Sequence, residues 1–275
     1  MSKYSINSIK KFKINGQKFA TLTAYDYTSA KLVDQAEIPL ILVGDSASMV
    51  VYGYDTTIPV TMEEMLFITS AVSRGAKDAL IVADMPFMSY QISIEKALEN
   101  AGLFIKKAGA RAVKLEGGKE VCNIISSITE IGIPVMAHIG LKPQSFHQMS
   151  GYKIQGKSLE EAEKILSDAI AVEKAGAFSV VLEGIPSELA EKITNIVSIP
   201  TIGIGAGPHC DGQIQVFHDI LGLFDTFVPK HAKQFSNISN YISKAVEQYK
   251  NDVVSGDFPT KDNCISMDKK IFEKL

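Results

Sequence analysis

Short apolar runs that close on Gly, Pro or a polar residue alternate with amphipathic stretches along nearly the whole chain. Eight runs have strand length: FATLTAYD (Phe19 to Asp26), IPLILVGDS (Ile38 to Ser46), ALIVADMP (Ala79 to Pro86), ARAVKLEGG (Ala110 to Gly118), IPVMAHIG (Ile133 to Gly140), AFSVVLEGI (Ala177 to Ile185), IPTIGIGAG (Ile199 to Gly207) and FDTFVPKH (Phe224 to His231). The segments between them carry helical spacing and helix punctuation. TSAKLVDQAE has Thr28 or Ser29 as its cap candidate, and Thr61 with Glu64 and Ser158 with Glu161 have capping-box spacing. Two of the helical stretches end in an AGA stop. Strand–helix alternation of this kind predicts a parallel sheet with right-handed crossovers. Eight units without a break in composition predict closure into a (β/α)8 TIM barrel.

An open dinucleotide-binding sheet fits less well. It wants a glycine-rich turn after its first strand, where this chain reads LTAYDYTSA. GIGAGP at Gly203 to Pro208 follows the seventh run and lacks the required spacing. The segment Ser5 to Lys13 reads either as a helix plugging the barrel bottom or as a solvated end. The insertion SASMVVYGYDTTIPVT is longer than a typical loop after a strand, and its part from Val50 to Val60 is a candidate wall for a second substrate. ISNYISKAVEQYKNDVVSG reads as the eighth barrel helix or an additional one, and a polar tail follows. A single domain over 1–275 is expected.

Composition narrows the function classes. The 275 residues suit one barrel, and a net charge of −3 gives no electrostatic case for nucleic acid or an anionic membrane surface. Three widely spaced cysteines form no CxxC pair, which argues against a disulfide framework or structural zinc. The N-terminal segment lacks the apolar core of a signal peptide, and the expected location is cytoplasmic.

In a barrel the strand ends converge on the face that holds the active site. Asp45, Asp84, Glu116, His138 and Glu183 would all arrive there. Side chains two apart along a strand share a face, so Val43 with Asp45, and Lys114 with Glu116, are expected to point the same way. Inward charges cost several kcal/mol unless they are paired or bind a metal. Asp45, Asp84 and Glu116 on consecutive strands would repel one another, which a hard divalent cation relieves. Magnesium takes one or two carboxylates directly, so Asp45 and Asp84 are the expected ligands, with Glu116 bound directly or through water. Lys114 can hold a substrate carboxylate, form a Schiff base or pair with Glu116. A Schiff base needs a depressed pKa, which an acidic cluster opposes. Glu183, among apolar neighbours, suits a general base; His138 is a candidate acid, hydrogen-bond donor or ligand. Together these residues describe proton abstraction beside the carbonyl of a metal-chelated 2-oxo acid, and then attack of the enolate on an electrophilic carbon.

At these residues the chain resembles the ketopantoate hydroxymethyltransferase family, also called the 3-methyl-2-oxobutanoate hydroxymethyltransferases, from about Ser5 to Pro259. The resemblance is carried in order by LTAYD, VGDS with MVVYGYDTTIPVT, ADMPFMSYQ, AVKLEGG, AHIGLKPQS, GYKIQGKS, VVLEGIP, IGIGAGPHCDGQIQVFHDILG and FVPKH. It implies a barrel of the phosphoenolpyruvate mutase/isocitrate lyase type with a C-terminal helical extension. It implies Mg2+ at Asp45 and Asp84 with Glu116 nearby, substrate contacts at Asp45, Ser46, Asp84, Lys114 and His138, and Glu183 as the base. The implied reaction passes through a magnesium-stabilised enolate and transfers a hydroxymethyl group from 5,10-methylenetetrahydrofolate to 3-methyl-2-oxobutanoate. The product is 2-dehydropantoate, on the route to pantothenate. It also implies a homo-oligomer, commonly a decamer, with 236–275 in subunit contacts. Departures from the family pattern at Ala47, Ser48, Lys142 and His231 replace none of these residues. Two competing readings are a magnesium-dependent carbon–carbon lyase or mutase, whose KKCGH-like cysteine motif is absent, and a non-catalytic barrel, which has no need of inward carboxylates.

Overall fold

The computed structural model describes residues 3–149, 151, 153–224 and 229–275. Eight parallel strands close into a barrel in chain order. They are β1 (Phe19–Thr23), β2 (Leu40–Val43), β3 (Leu80–Asp84), β4 (Ala112–Glu116), β5 (Val135–Gly140), β6 (Ser179–Glu183), β7 (Thr201–Ile204) and β8 (Gly212–Gln215). Seven of them lie inside the apolar runs of the sequence. The eighth does not. Closure is made by GQIQ, which pairs with both β1 and β7, and not by the run Phe224 to His231, part of which (225–228) lies outside the described residues. Gly212 sits against the Phe19 ring, so the seam of the barrel is narrow at this point.

Strand alternation sorts two cores. Leu40, Leu42, Leu80, Val82, Ala112, Met136, Val181, Ile202 and Ile214 fill the barrel interior. Ile41, Val43, Ile81, Ala83, Val113, Leu115, Val180 and Leu182 face outward and pack with helix residues such as Val72, Phe104, Ile125, Val172 and Ile193. Burying each large aliphatic side chain contributes roughly 1.5–3 kcal/mol, so both layers are filled with apolar residues. Among the described residues, the charged side chains at inward strand positions stand from the middle of the strands to their C-terminal ends, as Lys114 and Glu116 do on β4.

The helices follow the punctuation in the sequence. Met62–Gly75 starts at the Thr61/Glu64 capping box and Leu159–Lys174 at the Ser158/Glu161 box. The helix Tyr27–Gln35 is capped by Asp26 in a box with Ser29, not by Thr28 or Ser29 as the spacing predicted. Asp26 sits one residue earlier in an extended conformation, and its carboxylate accepts from the Ser29 N–H at 2.8 Å.

The helix Ile6–Ile14 closes the lower end of the barrel. Ile9 is fully buried among residues that open the strands, including Phe19, Leu40, Leu80 and Ala112. The Phe12 ring stacks on Phe19 at 5.0 Å. Lys13 donates to Asp211 at 2.9 Å and to the Thr194 carbonyl at 2.8 Å, tying the plug to the segments that precede β8 and β7. Of the two readings of this segment, the plug holds. After β8 a short helix, Phe217–Leu221, covers the strand end. The long helix Ile238–Ser255 is additional, and none of its residues is buried. Ile242, Val246, Tyr249 and Val253, at helical spacing along it, remain exposed.

Candidate active site

The C-terminal strand ends open into a cavity of about 680 Å3. All seven residues singled out in the sequence line it: Asp45, Ser46, Asp84, Lys114, Glu116, His138 and Glu183. Register explains the adjacency of several pairs. Asp84 lies opposite Lys114 across β3 and β4, and Glu116 lies opposite His138 across β4 and β5. The Lys114 ammonium therefore reaches both Asp84 oxygens, at 2.7 and 2.8 Å, and stands 3.9 Å from Glu116 Oε1. Asp45 reaches the same group differently. The expectation that Val43 and Asp45 share a face is overturned, because Val43 packs outward against the helices while Asp45 lines the cavity. β2 ends at Val43, and the turn at Gly44 breaks the alternation and re-aims Asp45 inward. The Asp45 N–H donates to Asp84 Oδ2 at 3.2 Å.

Glu183 ends β6, and its placement depends on a close approach by Gly140. Gly140 has a φ of +91°, and a Cβ there would come within 2.4 Å of the Glu183 carbonyl oxygen. That oxygen accepts from the Leu141 N–H at 2.8 Å. His138 lies between the two glutamates, with Nε2 3.1 Å from Glu183 Oε2 and Nδ1 3.6 Å from Glu116 Oε1. Neither ring nitrogen is aligned for a hydrogen bond. Burial, reinforced by the Lys114 charge, lowers the His138 pKa, so the ring is neutral at pH 7.

The electrostatics are dominated by crowding. Four carboxylates, on Asp45, Asp84, Glu116 and Glu183, line one cavity with a single buried ammonium, which pairs with Asp84 and stands near Glu116. Burial, and then the charge of Asp84, pushes the Asp45 carboxyl up to about 8. Burial also lifts Glu116 well above the usual carboxylate range. For Lys114, burial works against the charged form, but Asp84, Glu116 and Asp45 outweigh it and hold the pKa above that of ordinary lysine. A Schiff-base lysine needs the opposite shift, so this geometry favours an electrostatic role.

Three residues that the sequence reading did not single out build the support. Gln144 is buried in the loop after β5 and donates to Asp45 Oδ2 and to the Met85 carbonyl, both at 2.9 Å. Its backbone N–H donates to Glu116 Oε2 at 3.0 Å. The Tyr90 hydroxyl lies 2.8 Å from Gln144 Oε1 and 3.0 Å from the Glu116 carbonyl, with one proton to share between them. The Tyr25 hydroxyl lies 2.8 Å from Ser46 Oγ. Gln144 had a partial signal, since it stands in the AHIGLKPQS string. Tyr25 and Tyr90 had a signal of the same kind, in the LTAYD and ADMPFMSYQ strings, but a tyrosine near a strand end reads as core by spacing alone.

The donor set suits a hard cation. It is all oxygen, Glu116 Oε1 is buried without a hydrogen-bond partner, and two adjacent carboxylates are held proton-hungry by burial. Among the described residues no three His, Cys, Asp or Glu side chains are close enough together to hold a metal on their own. Two carboxylates completed by water and substrate oxygens remain the arrangement that magnesium prefers.

The family model for ketopantoate hydroxymethyltransferase matches residues 3–261. The chain belongs to the ketopantoate hydroxymethyltransferase family. It is 56% identical over 271 residues to a 3-methyl-2-oxobutanoate hydroxymethyltransferase of Dehalococcoides mccartyi, covering 98% of this chain and 96% of that one. It is 51% identical over 273 residues to the protein of the same name from Clostridium beijerinckii, covering 99% of each. Among solved structures, 2,3-dimethylmalate lyase, a phosphoenolpyruvate mutase/isocitrate lyase superfamily member, superposes with a TM-score of 0.60 at 15% identity, covering 98% of this chain and 93% of that one. The likeness to the lyase is one of fold. As a ketopantoate hydroxymethyltransferase family member, the chain keeps its charged residues on the face where this fold places active sites.

Proposed function

We propose that this enzyme transfers a hydroxymethyl group from 5,10-methylenetetrahydrofolate to 3-methyl-2-oxobutanoate, giving 2-dehydropantoate, with Asp45 and Asp84 holding Mg2+ and Glu116 beside it. The observation that carries the reading is the convergence of Asp45, Asp84, Lys114, Glu116 and Glu183 on one cavity in a chain of this family. When bound, the cation supplies Lewis acidity toward the oxo acid's carbonyl. Lys114 and Ser46 bind and orient the oxo acid. Glu183 takes the C3 proton, with the His138 ring 3.1 Å away beside that carboxylate. C3 then forms a bond to the one-carbon unit. In the net reaction the C3–H bond is lost, water supplies the new hydroxyl and tetrahydrofolate leaves. The apolar walls of the cavity, including Leu42, Val181 and Ile214, exclude bulk water from the proton transfer.

The test is direct. The purified chain is incubated with 3-methyl-2-oxobutanoate, methylenetetrahydrofolate and magnesium, and 2-dehydropantoate is followed by mass spectrometry. Product that depends on all three is expected. Absence of product, with cleavage of a 2-methylisocitrate-type substrate, would put the chain with the lyases. The exposed apolar positions on Ile238–Ser255 also support a homo-oligomer, which we propose is a decamer with 236–275 at subunit contacts. Light scattering measures its mass, and a monomeric mass refutes the assembly.

A further inference from the structure

Asp219 is 6% exposed and lines the same cavity as the acidic cluster, yet it takes no part in the chemistry described above. Among the described residues no group hydrogen-bonds its carboxylate, and burial alone shifts its acidity, raising the carboxyl to about 6. At neutral pH it is therefore mostly a carboxylate that faces the cavity with no protein partner among the described residues, free to accept from a ligand that brings donors. Two neighbours on the cavity wall share the deficit. Gln215 Oε1 and Thr57 Oγ1 are both buried without hydrogen-bond partners. Asp219 and Gln215 Oε1 are acceptors and the Thr57 hydroxyl can accept as well, so an occupant rich in donors fits this wall.

The wall that carries Asp219 is firmly attached to the reacting end. Asp219 sits on the short helix after β8, whose Phe217 N–H donates to Thr23 Oγ1 at 2.9 Å. The neighbouring His218 ring lies 5.4 Å from the Tyr25 ring, and the Tyr25 hydroxyl reaches Ser46. The cavity is otherwise mostly apolar there, with Ile204, Ile214 and Val216. Lys153 and Lys230, both exposed, lie at its mouth.

We infer that Asp219 anchors the 2-amino-4-oxo pyrimidine edge of the reduced folate, its two carboxylate oxygens accepting from the ring N3–H and the 2-amino group. This inference rests on the proposed use of methylenetetrahydrofolate. A carboxylate matches two parallel N–H donors bidentately, a pairing with both strength and direction. Gln215 Oε1 supplies a further acceptor for the same donor-rich ring. The apolar wall receives the ring faces, and the lysines at the mouth meet the carboxylates of the glutamate tail. The insertion after β2 contributes Val50 and Thr57 to this half of the cavity.

The experiment compares wild type with Asp219→Asn, which keeps the shape but cannot accept both donors. Steady-state kinetics are run with folate and oxo acid varied separately. Calorimetry measures binding of 3-methyl-2-oxobutanoate and of tetrahydrofolate. Loss of a charge-assisted pair is expected to raise the folate KM and Kd about 10- to 100-fold. The oxo-acid Kd should change less than about twofold, and kcat at saturating folate only a few-fold. An unchanged folate KM overturns the assignment, and so does an equal loss of oxo-acid binding. A second arm needs no variant. Tetrahydrofolate lacking the 2-amino group should bind wild type about 10- to 100-fold more weakly than the parent, and equal binding overturns the assignment even if Asp219→Asn does not fold. Failure of wild type to use any folate sinks the proposed function as well, whereas turnover with folate-insensitive variants sinks only the role of Asp219.

Discussion

Glu183→Gln is expected to lower kcat by about 10²- to 10⁴-fold, the contribution typical of a positioned general base. The amide is isosteric and keeps the contacts at the end of β6, including the backbone bond from Leu141 to the Glu183 carbonyl, but it cannot accept the C3 proton. Binding of the oxo acid in the presence of magnesium should survive, because Asp84 and Lys114 lie on other strands and Asp45 follows β2. Two measurements separate the roles: calorimetry of oxo-acid binding, and exchange of the substrate's C3 hydrogen in deuterated water followed by NMR. Exchange at the wild-type rate in the variant would falsify the base assignment and turn attention to His138. That ring is close by and neutral, so it is the natural rival.

The second large effect is expected from Lys114→Met. Its ammonium is buried, holds both oxygens of Asp84 and stands near Glu116. Methionine fills similar volume without charge and leaves the carboxylates uncompensated. Breaking a buried pair in this way costs about 3–5 kcal/mol. Because a divalent cation can replace part of the missing charge, the variant's thermal midpoint should depend on magnesium far more than that of wild type. Thermal melts with and without Mg2+ check this; equal stabilisation of the two proteins would mean that Asp84 and Lys114 stand apart from the cation. Turnover should be lost in either case, since the oxo-acid carboxylate loses its countercharge.

The residues that could be read from sequence were those whose periodicity and chemistry conflict. Lys114, Glu116, Asp84 and Glu183 occupy inward positions in strands whose other inward residues are apolar, and that conflict is visible without coordinates. Most of the barrel was legible for the same reason, through apolar runs at strand length bounded by caps. The closing strand was not. GQIQ is short and half polar, and its strand character comes from pairing with β1 and β7 on either side, not from its own composition. Asp45 points into the cavity as expected, but Val43 does not share its face, because alternation does not carry through Gly44, where the strand has already ended. Gln144, Tyr90 and Asp219 escaped for another reason. Each is an ordinary loop or short-helix residue until the fold places it, and a hydrogen-bond hub or an unpaired acid is a property of surroundings, not of spacing.

The stopper formed by Ile9 and Phe12 has a kinetic corollary. With the lower end sealed, traffic in both directions is confined to the upper rim, where Lys114 and Asp219 line one cavity. If the two substrates dock as proposed, the oxo acid is expected to bind first and the hydroxy acid to leave last, an order that product-inhibition kinetics check.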